Sequence, residues 1–216
     1  MLARLFLCTF CLVSVASPAF AKDKVKPAAL SATAEAVACA GVFGSDSSEA
    51  LLIETYGKDN VVTGQVYGPE GITYLASTVY PDDADRKMKF SWFNEDELTQ
   101  LSSVELAPSQ AGPGGVRIAM SVGEVQAING EPFTIGGFWW DYGGYAGFET
   151  GQLAGPLQGE CYLSLRFSPA DDIPAAVDTT PIAGEVVIPS DEGLLELVDT
   201  RVVGMSIGYA LEDAAE

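Results

Sequence analysis

Apolar positions recur at every second residue through much of the chain, which is the period of a strand with one buried face. Val61 to Tyr67 is β-branched. In Ile72 to Tyr80, positions Ile72, Tyr74 and Ala76 face away from Thr73, Leu75 and Val79. In Lys87 to Phe93, Met88, Phe90 and Trp92 share one face, and Lys87, Lys89 and Ser91 the other. Leu98 to Leu106 reads as a fourth strand. Turn chemistry separates these runs at Gly68-Pro69-Glu70-Gly71, at Pro81 to Asp85 and at Asn94 to Glu97. Ahead of them, Ala36 to Phe43 is an edge strand or extended segment. Asp46-Ser47-Ser48-Glu49 then opens a helix, with Asp46 as cap, Glu49 closing a capping box and Gly57 as a left-handed stop.

Pro108 to Gly115 is the clearest internal linker, and after it the same order recurs. Val116 to Met120 reads as a short strand. Ser121 and Glu124 form a second capping box, and Gly130 ends that helix. Strand-like Phe133 to Phe138, Tyr145 to Glu149 and Cys161 to Ser168 follow. The pattern predicts two helix-then-antiparallel-strands units, each too small to bury a sheet face alone. Asp171 to Ala183 is an acidic linker or wrap. Glu185 to Ile188 is a strand, Ser190 or Asp191 caps a short helix to Val198, and Arg201 to Tyr209 is a long strand with apolar residues on both faces.

The N-terminus predicts export. A short positive n-region ends at Arg4, the apolar run Leu5 to Val15 is too short to span a bilayer, and Ala19-Phe20-Ala21 is a cleavage site. Cys8 and Cys11 leave with residues 1–21. The remaining pair, Cys39 and Cys161, reads as a disulfide in a secreted or periplasmic protein, contributing roughly 4–5 kcal/mol on the chain-entropy model. Lys22 to Glu35 is a flexible linker, and no later segment approaches membrane-spanning length, so no membrane insertion is expected after signal cleavage.

Charge narrows the function classes. The chain of 216 residues carries 11 Lys+Arg against 30 Asp+Glu, a formal charge of -19, and no His. Such a balance argues against nucleic acid and anionic lipid as partners. Without imidazole, the Ser-His-Asp and Cys-His machineries and every His-bearing metal site are excluded. The oxygen-rich loops Asp82-Asp83-Asp85 and Asn94 to Glu97 lack EF-hand spacing and read as solvated turns, although calcium takes such ligands. No cofactor motif is present: Gly112-Pro113-Gly114-Gly115 lacks the Lys and hydroxyl of a phosphate loop.

The densest chemistry lies in Gly136 to Gly151, where six glycines and six aromatics share sixteen positions. Glycines let a backbone approach a ligand closely. Aromatic faces beside a carboxylate serve as a protein hot spot or a platform for sugar rings. The bland alternative makes alternate rings core and the glycines hairpin turns. The candidate binding residues are Phe138, Trp139, Trp140, Asp141, Tyr142, Tyr145, Phe148 and Glu149. On a strand, adjacent Trp139 and Trp140 face opposite ways, which leaves one exposed. Asp141 with Glu149 is the single carboxylate pair to nominate for hydrolysis.

The phrase Gly115-Val116-Arg117-Ile118-Ala119-Met120-Ser121, running to Glu124-Val125 and Asn129-Gly130-Glu131-Pro132, resembles a pattern in the β-lactamase-inhibitor-protein-like fold and in small outer-membrane-assembly lipoproteins. That resemblance covers some 20 residues and implies a non-catalytic, protein-binding module. The stretch Asn129-Gly130…Phe133…Gly137 to Gly144, with Asp46-Ser47-Ser48 and Tyr80-Pro81-Asp82-Asp83, is also similar to exported bacterial proteins with no assigned function.

Together these readings predict an α+β protein: an antiparallel sheet with short packed helices, built from halves at 36–107 and 116–170 and completed by a helix and strand in 171–216. The expected function is a secreted, non-catalytic binding module for a protein partner. The alternatives are a cell-wall-glycan-binding protein and a carboxylate-based hydrolase.

Overall fold

The alternating runs of the first half form a meander. In the computed structural model, which describes residues 36–68 and 71–211, β1 (Val61–Tyr67), β2 (Thr73–Val79), β3 (Met88–Asn94) and β4 (Thr99–Glu105) pair antiparallel in sequence order. The signal peptide, its cleavage site and the linker before Ala36 lie outside the described residues. The expected inner face of β3 is confirmed: Met88, Phe90 and Trp92 are buried. The Trp92 indole donates to Ser77 Oγ on β2 at 3.1 Å, so the largest core side chain keeps its polar atom satisfied.

Two strands from the second half complete the sheet. β7 (Tyr162–Ser168) and β9 (Arg201–Gly208) extend it in the order β1-β2-β3-β4-β9-β7. The C-terminal strand is thus inserted between β4 and β7, antiparallel to both. Val202, Met205 and Ile207 are buried, whereas Val203 is 53% exposed, so only one face of β9 enters the core. A small second sheet has the order β6-β5-β8, from β5 (Thr134–Gly136), β6 (Ala146–Gly147) and β8 (Val187–Pro189). Both sheets and all three helices contribute to one hydrophobic core, through Phe90, Leu101, Ile135, Leu165, Phe167, Ile188 and Ile207 among others.

The helix caps correct the sequence reading in places. Helix α1 (Glu49–Tyr56) is capped by Ser48, not Asp46; Ser48 Oγ accepts from the Leu51 amide at 3.3 Å. The chain is still tied to β4 at that point, through the Ser48–Thr99 bridge and the Glu49 amide bonded to the Leu98 carbonyl, so it enters the helix later. Glu49 accepts from Thr63 Oγ1 on β1 instead of closing a box. Gly57 has the expected positive φ of 88° but an extended ψ of 141°. Helix α2 (Val122–Asn129) matches its signature in full, with both capping-box bonds and Gly130 left-handed at φ 78°. Helix α3 (Gly193–Leu197) is capped by Glu192 rather than by Ser190 or Asp191.

Val116 to Met120 is no strand. It turns through Ala119 at φ 69° and docks on Val202 by two backbone hydrogen bonds. Pro108 to Gly115 is packed in part, with Ala111 and Gly112 buried and Ala111 bridged to Ala36. Each half sets a helix ahead of antiparallel strands, four after α1 and three after α2, but the two differ in topology. β1 to β4 stay in one sheet, while β5 and β6 depart to the other before β7 returns. The Cys39–Cys161 disulfide joins the segment before α1 to the residue preceding β7, across 122 positions.

Candidate functional site: an aromatic loop across the sheet edge

The Gly-aromatic segment begins where β5 ends, and the backbone there is clamped. The Gly137 amide donates to the Val186 carbonyl at 2.7 Å and the Phe138 amide to the Ile182 carbonyl at 2.8 Å. A Cβ on Gly137 would lie 2.3 Å from the Gly184 carbonyl oxygen, so this approach requires glycine. Phe138 is buried here.

Trp139 then takes φ 62°, which turns it out of the extended path. It is 57% exposed, with its ring edge-on to Phe138 at 5.9 Å. Trp140 is half-buried; its indole N–H donates to the Gly137 carbonyl at 2.8 Å and its ring meets Tyr142 at 5.6 Å. The two tryptophans differ as expected, but because of a bend and a side-chain bond rather than strand alternation. Asp141 and Tyr142 are exposed on the turn that follows.

The loop returns across the free side of β7. The Phe167 amide donates to the Gly144 carbonyl at 2.7 Å, and Tyr145 bridges Arg166 in antiparallel sense. Gly144 has φ 84°, and a Cβ there would stand 2.2 Å from the Phe167 carbonyl oxygen. Arg166 Nε donates to the Gly143 carbonyl at 2.9 Å, and the guanidinium carbon lies 5.3 Å from the centre of the exposed Tyr145 ring. Past β6, Phe148 is half-buried against Phe133 with centroids 4.8 Å apart, and Glu149 is exposed.

Of the eight nominated residues, Trp139, Tyr142 and Tyr145 present exposed rings, Trp140 supports them, and Phe138 and Phe148 pack inward. Beside them are two hollows of about 380 and 300 Å³, both lined by Arg166, Val203 and Gly204. Trp139 and Trp140 wall the first, and Tyr145 with Ile118 the second. A shallow groove thus crosses the outer face of β7 and β9, with Arg166 on its floor. Asp141 does not line the hollow next to it.

Arg166 and Val203 carried no signal of their own in the sequence, because each sits inside a strand pattern and joins the loop only by tertiary pairing. The one available hint for Arg166 was scarcity, as one of seven basic residues after Pro27.

The oxygen-rich loops are occupied internally. Asp83 accepts from Arg86 Nε at 2.7 Å and from two backbone amides, and the Arg86 hydrogen bond holds its carboxyl below the usual aspartate range. Asn94 Oδ1 accepts from the Glu97 amide at 3.1 Å. Among the described residues no group of three or more Cys, Asp or Glu is placed to hold a metal ion. No family model, curated protein or solved structure matches the chain.

Proposed function

We propose that the protein is an exported, non-catalytic binding module. It contacts another protein through Trp139, Tyr142 and Tyr145 and the Arg166 groove beside them. The observation that carries this reading is the clamped loop: exposed aromatic rings are held by backbone bonds on both sides instead of swinging free. Association then costs little ordering entropy. Trp, Tyr and Arg are the side chains on which protein interfaces concentrate their energy. Two further features support the reading: the disulfide suits an oxidising compartment, and the nominated carboxylates Asp141 and Glu149 are exposed on opposite sides of β6 in the chain.

The test is affinity capture from periplasmic extract with wild type, Trp139→Ala and Tyr145→Ala. A specific protein retained by wild type and lost from both variants, with the fold intact, is the expected outcome. Co-sedimentation with purified peptidoglycan that disappears in the same variants moves the assignment to a glycan ligand. Turnover of any substrate that is abolished in Asp141→Asn overturns the non-enzymatic reading.

A further inference from the structure

We infer that β1 is the self-association edge of the protein, pairing antiparallel with β1 of a second copy about a two-fold axis at Gly64. The inference is independent of the aromatic loop. β1 lies at the end of the large sheet and, among the described residues, pairs only with β2. Its outward-facing groups follow from the register. Gly68 N–H donates to the Ile72 carbonyl and Tyr80 N–H to the Asn60 carbonyl, each at 2.8 Å, and both pairs continue the β1–β2 ladder. Hydrogen-bonded pairs alternate along an antiparallel ladder. The even-numbered residues Val62, Gly64 and Val66 therefore bond to β2, and Val61, Thr63, Gln65 and Tyr67 aim their amides and carbonyls away from it. Among the described residues no backbone group meets that side.

Proteins usually blunt such an edge with charge, proline or a bulge. The sequence Val-Val-Thr-Gly-Gln-Val-Tyr has no charge and no proline, in a chain of 30 acidic residues, and its register with β2 is unbroken. Val62 is 54% exposed and Tyr67 84%.

The strand is complementary to itself. With the axis at Gly64, Val61 stands opposite Tyr67 of the second copy and Thr63 opposite Gln65. All four outward residues are then used in hydrogen-bonded pairs. Val62 meets Val66 on the other face, and each Tyr67 ring gains a β-branched neighbour. The Gly64 pair is non-hydrogen-bonded, where Cα atoms approach to about 4.5 Å, and the space beside its α-carbon is open. No charge faces a charge within the paired strands. The remaining repulsion is between two acidic bodies, so added salt strengthens the dimer by screening.

Sedimentation equilibrium of the full chain tests this. The expected result is a monomer–dimer equilibrium by about 100 μM that tightens with salt, and a dissociation constant at least ~10-fold weaker in Gln65→Pro. That substitution removes an outward amide and leaves the β2 ladder intact. Should Gln65→Pro fail to fold, Gly64→Cys decides: mild oxidation yields a disulfide-linked dimer, whereas Val62→Cys, facing Val66, does not cross-link to itself. A wild-type chain that stays monomeric throughout, a dimer unaffected by Gln65→Pro, or equal cross-linking at both positions overturns the assignment.

Discussion

The two ends of the six-stranded sheet solve the same problem differently. At β7 the outer backbone groups are met in part by the returning aromatic loop, where the Phe167 amide donates to Gly144 and Tyr145 bridges Arg166. At β1 nothing in the described chain meets them. The covering of β7 depends on glycines that tolerate no side chain, on the arginine that crosses to Gly143, and on the disulfide at the strand's beginning. The loop that crosses this edge is also the loop that displays Trp139, Tyr142 and Tyr145. Edge protection and the display of these rings are therefore one construction, and damage to the first propagates to the second.

Breaking the disulfide has the largest expected effect. Cys161→Ser, compared with wild type by calorimetry, loses about 4–5 kcal/mol for a loop of this length, which lowers the unfolding midpoint by roughly 10–15 °C. Hydrogen exchange localises the loss: Tyr162 and Ser164 in β7, which stand opposite Gly208 and Ser206 of β9, are deprotected first, while Val62 and Gly64 in β1 keep their rates under native conditions.

A pair of glycine substitutions sharpens the contrast. Gly144→Ala meets both a positive φ and the Phe167 carbonyl, and urea unfolding is expected to show a loss of about 2–4 kcal/mol. Gly64→Ala enters open space in regular strand geometry and is expected to gain about 0.5 kcal/mol. Equal effects at the two sites contradict the difference between the edges.

Arg166→Ala removes the side-chain bond to Gly143 and the contact with Tyr145. Its expected cost is about 1–2 kcal/mol. Acrylamide quenching of the loop tryptophans rises in this variant, and partner capture falls with it. Unchanged quenching shows the loop is held without the arginine.

The smallest effect distinguishes the helices of the two halves. Ser121→Ala breaks a reciprocal box and costs α2 about 1 kcal/mol, more than Ser48→Ala costs α1, as equilibrium unfolding will show. The box also makes α2 acid-sensitive. Hydrogen bonds from the Ser121 backbone and side chain hold the Glu124 carboxyl below the usual glutamate range. Its folded pKa is depressed, so its contribution is present above the ordinary value of about 4.3 and is lost as pH falls through the native one. Glu124 is largely exposed, so solvent screening keeps this contribution small. Glu124→Gln flattens that part of the acid stability curve.

The first half was the more legible because its contacts are local. Hairpins joining consecutive strands make alternation decisive, and Met88, Phe90 and Trp92 fell on the buried face as their spacing required. The α2 box was legible for the same reason, since both partners lie within one turn of helix. The α1 cap was misplaced because a nonlocal bond to Leu98 holds the chain extended to Ser48. In the aromatic segment, spacing identified the rings but not their directions. Trp139 is turned out by a positive φ, and Trp140 is pinned by a carbonyl three residues back.

By itself the amino-acid order determined the α+β class, the meander, the pairing of Cys39 with Cys161 and the stretch where aromatics and glycines concentrate. Those features rest on side-chain period, short-range hydrogen bonds and the count of thiols. Tertiary structure alone decided that β9 lies between β4 and β7, that Arg166 and Val203 floor the groove, and that the aromatic loop crosses one sheet edge while β1 at the other has no backbone partner beyond β2 among the described residues. These facts depend on which distant backbone groups meet, and residue type does not encode the partner of an amide.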